Sequence, residues 1–274
     1  MAKRILDPGP LSPSSGLFLA SARGTGKSTF VQEDLIPALR QRGSLVLYAD
    51  LSANRRLDPA EAISGALRAV LKQDGRVLRT LATTVVAPFE VDNVGLGRKV
   101  TLARAFAALS EEVKKPISLI LDEAQDAIST PDGSNTMFAL KATRDELNSS
   151  SYYGFRLVAV GSDRAELSMM CRAHDQAFFL AELSDFPVLG REYVGWFCSN
   201  AGLPLHLDVN STFRLFVEGA RRPAVLAAGL AGAADAARLG LDHAAIHSRF
   251  EAAVREQIAS CRTTSALLAG DQHA

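Results

Sequence analysis

Two short stretches hold residues whose types and spacing can do chemistry. The first is Ser21-Ala22-Arg23-Gly24-Thr25-Gly26-Lys27-Ser28-Thr29. It follows an apolar run, Leu17-Phe18-Leu19-Ala20, and precedes a helical pattern from Phe30 to Arg40. Strand, glycine-rich turn and helix is the context in which such a segment cradles phosphate. The turn's N–H groups point inward, and the helix N-terminus adds its positive dipole end. On this reading Ser21, Arg23, Gly24, Thr25, Gly26, Lys27, Ser28 and Thr29 wrap a nucleotide. Lys27 reaches the β- and γ-phosphates, and the Ser28 hydroxyl sits on Mg²⁺. Ser21 stands where the pattern G-x-x-x-x-G-K-[ST] has its first Gly. Serine is small and tolerates turns, so function is expected to survive, with any cost appearing in binding strength.

The second stretch is Ile117-Ser118-Leu119-Ile120-Leu121-Asp122 followed by Glu123-Ala124-Gln125. A hydrophobic strand ending in two acids complements a phosphate loop. Asp122 is expected to hold Mg²⁺ through water, and Glu123 to orient and polarise the attacking water as a general base. Phosphoryl transfer rests on positioned charge, which is what these residue types supply. An isolated Asp-Glu pair reads as a solvated turn; the upstream loop favours the catalytic reading.

The elements that must position these residues alternate along the chain. Leu45–Asp50, Ile117–Asp122 and Arg156–Gly161 read as buried strands, and Phe178–Leu183 as a last one. Asp58-Pro59 opens a helix that continues through Lys72. Further helices are expected over Thr101–Lys114, Thr136–Leu147 and Arg164–Arg172. Pro37 is expected to kink or end the loop helix near Ile36. Arg76 to Gly97 has no regular pattern, although Thr83–Ala87 has the composition of a short strand. Alternating strands and helices mean an α/β fold with a mostly parallel sheet covered on both faces. After Pro187 the pattern is helical: Arg191–Asn200, Ser211–Glu218, Pro223–Arg238 and Ala244–Ser260. The expected organisation is a lead-in over 1–16, a phosphate-loop α/β domain over 17–187, a helical lid over 188–262 and a frayed tail over 263–274.

Thirty basic residues balance thirty acidic ones over 274 positions, so formal net charge is zero. Net charge therefore gives DNA binding no support, although it leaves a local basic patch open. Arg55-Arg56 and Arg221-Arg222 are short basic pairs without interleaved aromatics, which reads as solvated surface. Cys171, Cys198 and Cys261 lie far apart and form no C-x-x-C, so reduced thiols are expected. His243 and His247 share a helix face, but no acid follows in H-E-x-x-H fashion and no metal site is read there. No signal-peptide core follows the N-terminus, and the longest apolar stretch, Ala224–Ala234, is too short to span a bilayer. A cytoplasmic protein without a membrane segment is expected. Asp50, at a strand end, either caps a loop or lines the nucleotide site.

The order of parts resembles the AAA+ ATPases, in the branch that includes origin-recognition and signal-transducing NTPases. In that family a strand after the acids carries a polar sensor of the γ-phosphate. Val160-Gly161-Ser162-Asp163 holds that place, which implies Ser162, with Asp163 next. The family has Asn or a similar residue there. The resemblance also implies an arginine finger near the end of the next helix, reaching a neighbouring subunit's nucleotide. Arg172 matches by position, with Arg164 and Arg144 as alternatives. Gly219-Ala220-Arg221-Arg222-Pro223 resembles the second sensor that opens a lid helix, with Arg222 in register. The likeness covers Leu17 to Leu230. The Asp122–Ala127, Phe138–Asn148, Gly161–Arg164 and Phe186–Leu189 segments also look like an uncharacterised group of bacterial AAA-type ATP-binding proteins.

The resemblance implies ATP and Mg²⁺ as cofactors, with Glu123, Lys27, Ser162, Arg172 and Arg222 carrying hydrolysis. ATP would lie between the sheet domain and the lid. The function implied is a molecular switch whose ATP state controls homo-oligomer assembly or protein partner binding, in a mobile-element, replication or defence system. Two alternatives stand beside it: a nucleic-acid-associated ATPase of the transposition-targeting or helicase-loader type, and a nucleotide-sensing scaffold that does not hydrolyse. A self-contained helicase would need a second α/β domain, and the helical remainder after Leu189 does not supply one.

Overall fold

Apolar residues in the strand runs alternate between two faces, and the fold buries both. A computed structural model of the protein describes residues 1–7, 16–53, 58–73, 101–149, 152–202 and 206–270. The Arg55-Arg56 pair, the Thr83–Ala87 segment and most of the lead-in lie outside the described residues. Five parallel strands form one sheet among the described residues: β1 (Leu17–Ala20), β2 (Leu45–Asp50), β3 (Ile117–Asp122), β4 (Phe155–Gly161) and β5 (Glu182–Asp185). Their order is β2-β3-β4-β1-β5. Phe18, Leu47, Leu119, Leu121 and Leu157 belong to one core, whereas Leu17, Leu19, Val46, Ile120, Val158 and Val160 belong to another. This period-two division is what a sheet covered on both faces requires.

The first core is closed by α4 (Pro59–Gln73), α5 (Leu102–Val113), α6 (Pro131–Leu147) and α7 (Arg164–Arg172). The opposite core is closed by α1 (Ala2–Leu6) and by the helical stretch after the phosphate loop. Ala2 and Ile5 are buried, so α1 packs on the sheet within the segment read as a lead-in.

The stretch after the loop comprises α2 (Lys27–Thr29), a π-helical segment Phe30–Leu35 and α3 (Ile36–Gln41). The expected kink at Pro37 is thus replaced by a widened turn just upstream. The Ile36 N–H reaches back to the Val31 carbonyl, a spacing that eases the crowding a proline imposes on the preceding turn.

Other boundaries shift for local reasons. Asp58 Oδ1 accepts from the Ala60 N–H, capping α4 as Asp-Pro predicts. The α6 helix begins at Pro131 rather than Thr136, because the Thr130 side chain caps it and Pro131 fits its first turn. Residues 178–181 are a turn, not a strand. Phe178 is buried against Phe18, with ring centroids 5.7 Å apart, and Leu180 takes the left-handed φ of 67°. The strand begins only at Glu182, and its polar residues suit a sheet edge.

Contacts divide the chain into two units, one holding Met1–Ala22 and Lys27–Phe186, the other Arg23–Gly26 and Pro187–Ala274. The second contains α8 (Arg191–Ser199), α9 (Val209–Glu218), α10 (Pro223–Arg238) and α11 (His243–Gly270) around its own core of Val194, Phe216, Leu226, Phe250 and Val254. Close approach of α10 and α11 depends on small residues. A Cβ on Gly229 would lie 2.6 Å from Val254 Cγ2, and one on Gly232 2.9 Å from Ala253 Cβ. No helix among the described residues is long and apolar enough to cross a membrane.

Candidate functional site

Strand order decides which residues meet. Because β4 lies between β1 and β3, the C-terminal ends of all three stand side by side. The β1 end leads to the phosphate loop, the β4 end to Ser162 and the β3 end to Asp122 and Glu123. Ligands of open parallel sheets bind at such ends, where the connections reverse direction.

The loop backbone has the form its glycines allow. Gly24 and Gly26 have φ of 78° and 85°, values that a side chain would strain. Ser21 is not among the residues of positive φ, and its N–H continues the ladder to the Gly161 carbonyl at 3.1 Å. The first position therefore makes no demand for glycine. Lys27, at the start of the helical stretch, is only 6% exposed.

Lys27, Ser28, Asp122, Glu123 and Ser162 come together in one hydrogen-bonded cluster. Lys27 Nζ donates to Glu123 Oε1 at 2.6 Å and lies 3.6 Å from Asp122 Oδ1. Asp122 Oδ2 accepts from Ser28 Oγ at 2.9 Å and from the Tyr48 hydroxyl at 3.0 Å. Asp122 Oδ1 accepts the Glu123 N–H at 3.0 Å. The other oxygen of Glu123, Oε2, accepts from Ser162 Oγ at 2.6 Å, from the Ser162 N–H at 3.1 Å and from Gln125 Nε2 at 2.6 Å. Glu123 does this from a left-handed backbone, φ 51° and ψ 47°. Such a conformation costs a residue with a Cβ about 1–2 kcal/mol, so the surrounding bonds hold it there.

Electrostatics follow from these contacts. Burial pushes the Glu123 carboxyl up, but hydrogen bonds from Lys27, Ser162 and Gln125 outweigh it and bring its pKa down to about 2. Glu123 is thus an anion throughout the neutral range, and losing the Lys27 contact would make it a stronger base. Burial, and then the Asp122 carboxylate, raise the Tyr48 phenol well above its ordinary value, so it remains a donor to Asp122. The Ser28 hydroxyl and the Asp122 carboxylate, which already touch, are hard oxygen donors. Mg²⁺ is typically held by one or two carboxylates with substrate phosphates and water, and this pair fits that role.

The other candidates are placed differently. Asp163 caps α7, accepting from the Glu166 N–H at 2.9 Å. Asp50 caps its own loop, with Oδ1 accepting from the Ser52 N–H and hydroxyl. Arg144 is buried, paired with Asp145 at 2.6 Å and laid over the Phe178 ring, which makes it part of the packing. Arg164 pairs with Asp185. Arg172 is exposed at the end of α7 and makes no hydrogen bond or ion pair among the described residues. Within the second unit, a Cβ on Gly24 would lie 3.7 Å from Arg222 Cδ, and one on Gly26 3.5 Å from Pro223 Cγ. Arg222 Nε is buried with no hydrogen-bond partner among the described residues, and Arg222 follows two left-handed residues, Ala220 and Arg221.

Tyr48 and Gln125 bond to this cluster and Gly161 adjoins Gln125, although no role was read for any of the three. The available signals were a phenol in an otherwise apolar strand, an amide two residues after the acid, and a glycine ending a buried strand.

No protein-family model matches the chain, and no curated protein matches it by sequence. Solved structures do. A Walker-type ATPase of Pyrococcus abyssi superposes with a TM-score of 0.60 at 14% identity, over 95% of this chain and 71% of that one. The ORC2 protein of Aeropyrum pernix, in its ADP form, gives 0.58 at 16% identity, over 88% of this chain and 62% of that one. The AAA domain of FIGL-1 gives 0.53 at 13% identity, over 93% and 75%.

Proposed function

We propose that this chain, whose fold is that of the AAA+ P-loop ATPases, is an Mg²⁺-dependent ATPase that acts as a molecular switch. The observation that carries this reading is the contact of Lys27 with Glu123, and of Ser28 with Asp122, at adjoining strand ends. A lysine, a hydroxyl and two carboxylates meet there, residue types that ATP hydrolysis would use.

In the proposed reaction the triphosphate lies along the loop, and Lys27 exchanges its Glu123 partner for phosphate oxygens. Ser28, and Asp122 through water, would hold Mg²⁺, which would supply positive charge against the phosphate oxygens. Glu123 takes a proton from water as the water oxygen bonds to the γ-phosphorus. The bond from that phosphorus to the bridging oxygen breaks with its electron pair on ADP, and the proton passes on to phosphate. Ser162 senses the γ-phosphate through the base it already touches. Arg222 is proposed as the second sensor, an assignment supported by its unpartnered Nε. Arg172 is proposed as the finger offered to a second copy, supported by its exposure. The switched step is self-assembly or binding of a protein partner, and the mobile-element, replication or defence setting rests on fold analogy alone.

Mass and ATPase rate, measured with and without ATP and with and without DNA, test the reading. A switch gains mass with ATP and hydrolyses without DNA. Strict dependence on DNA would favour the nucleic-acid-associated ATPase, and ATP binding without turnover the scaffold. Failure to bind ATP would remove the proposal.

A further inference from the structure

Gln125 lies just past the acids, at the start of a 3₁₀ turn over Ala124–Ser129, and is 4% exposed. Its amide nitrogen is 2.6 Å from Glu123 Oε2 and 3.4 Å from Ser162 Oγ. A carboxylate oxygen can only accept, so the donor end must face Glu123. The amide oxygen, Oε1, is then buried with no hydrogen-bond partner among the described residues. Folding alone would not favour an orphaned buried acceptor, which sets this side chain apart from ordinary packing. Room for it exists only because residue 161 is glycine, where a Cβ would fall 2.2 Å from Gln125 Oε1.

The two oxygens of Glu123 are treated unequally. Among the described residues, Oε2 is held by three donors from Gln125 and Ser162, while Oε1 is held by Lys27 alone. Phosphate is the group that draws Lys27 away. Once that happens, Oε2 remains fixed and Oε1 becomes free to face water.

We propose that Gln125 is a positioning residue that clamps one oxygen of Glu123, so that the oxygen Lys27 releases becomes the base, and that Gly161 is retained to admit its amide. The inference rests on the reading of Glu123 as general base. Gln125 does not touch the nucleotide, so its loss should separate turnover from binding. Misplacing a base by a fraction of its reach costs up to about 100-fold in rate.

The test compares Gln125→Met, which keeps the length and loses the donor, with Gly161→Ala, which keeps Gln125 and displaces its amide. Each is expected to lower kcat by about 10- to 100-fold while ATP affinity by calorimetry stays within about 3-fold. Adding Gln125→Ala to Gly161→Ala should lower kcat no further, because both act through one contact. Wild-type kcat in either soluble single variant overturns the clamp, as does weakening of ATP affinity in proportion to kcat. Glu123→Gln is the control. Normal turnover there removes the base itself, whereas loss there with normal turnover in Gln125→Met removes only the clamp.

Discussion

The strand ends of the sheet unit and the α10–α11 pair of the helical unit both bring chain segments close, but by opposite means. At the strand ends the approach is polar. Lys27 and Asp122 are almost fully buried, and their tolerance of burial depends on donors matching acceptors. Between α10 and α11 the approach is steric. Gly229 and Gly232 leave gaps that Val254, Phe250 and Ala253 fill. At the first place the chemistry of a side chain should decide its effect, even at constant volume. At the second, volume should decide.

Lys27→Ala breaks the polar arrangement most severely. It takes away the cation that meets phosphate, and ATP affinity should fall at least about 100-fold in a titration. It also leaves the Asp122 and Glu123 carboxylates without their cation, in a place where water barely reaches. Removing one partner of such a buried set costs about 3–5 kcal/mol, which urea unfolding would read directly. Adding Glu123→Gln should recover part of that stability without restoring ATP binding. Unchanged ATP affinity in Lys27→Ala would remove the phosphate-loop assignment.

A milder pair of substitutions tests the steric side. Gly229→Ala places a methyl within 2.6–2.8 Å of Val254 and Phe250, both buried, and should destabilise by about 1–3 kcal/mol. Gly65→Ala, on the exposed face of α4, meets nothing within 4 Å among the described residues. It should stabilise by about 0.5–1 kcal/mol, because alanine gives up less backbone freedom than glycine in a helix. Thermal unfolding of both variants would show opposite signs for the same chemical change. Equal signs would mean that packing between α10 and α11 does not set local stability.

The same contrast explains what could be read from sequence. The phosphate loop, the acids and Ser162 each sit where an apolar run gives way to polar residues, and that transition is visible in one dimension. So are the Asp-Pro opening of α4 and the span of α7. Tyr48 was hidden because its partner, Asp122, is far away in the chain, and Gln125 because the room for its amide depends on Gly161 in β4; neither type is distinctive by itself. The turn at 178–181 misled for a related reason. Ala177-Phe178-Phe179-Leu180 has strand composition, but burial of Phe178 and the left-handed Leu180 satisfy the core without pairing. Pro37 was visible as an irregularity, yet its remedy, a π-helical segment upstream, is a tertiary solution that residue types do not announce.

Ser21 offers the finest test, because sequence and backbone point in different directions. The motif pattern has glycine there, which led to the expectation that function survives and that any cost of serine appears in binding strength. Glycine is required where φ is positive, and in this loop that condition holds at Gly24 and Gly26 but not at Ser21. Ser21 instead extends the β1–β4 ladder through its N–H to Gly161. Ser21→Gly would therefore relieve no strain, and ATP affinity should change by less than about 2-fold. It would free the unfolded chain, so stability should drop by about 0.4–1 kcal/mol, the reverse of the gain seen when glycine is replaced at a compatible site. A calorimetric titration and an unfolding curve on one sample decide both points. Tighter binding by 10-fold or more would mean that the serine side chain itself, rather than the backbone, obstructs the phosphate.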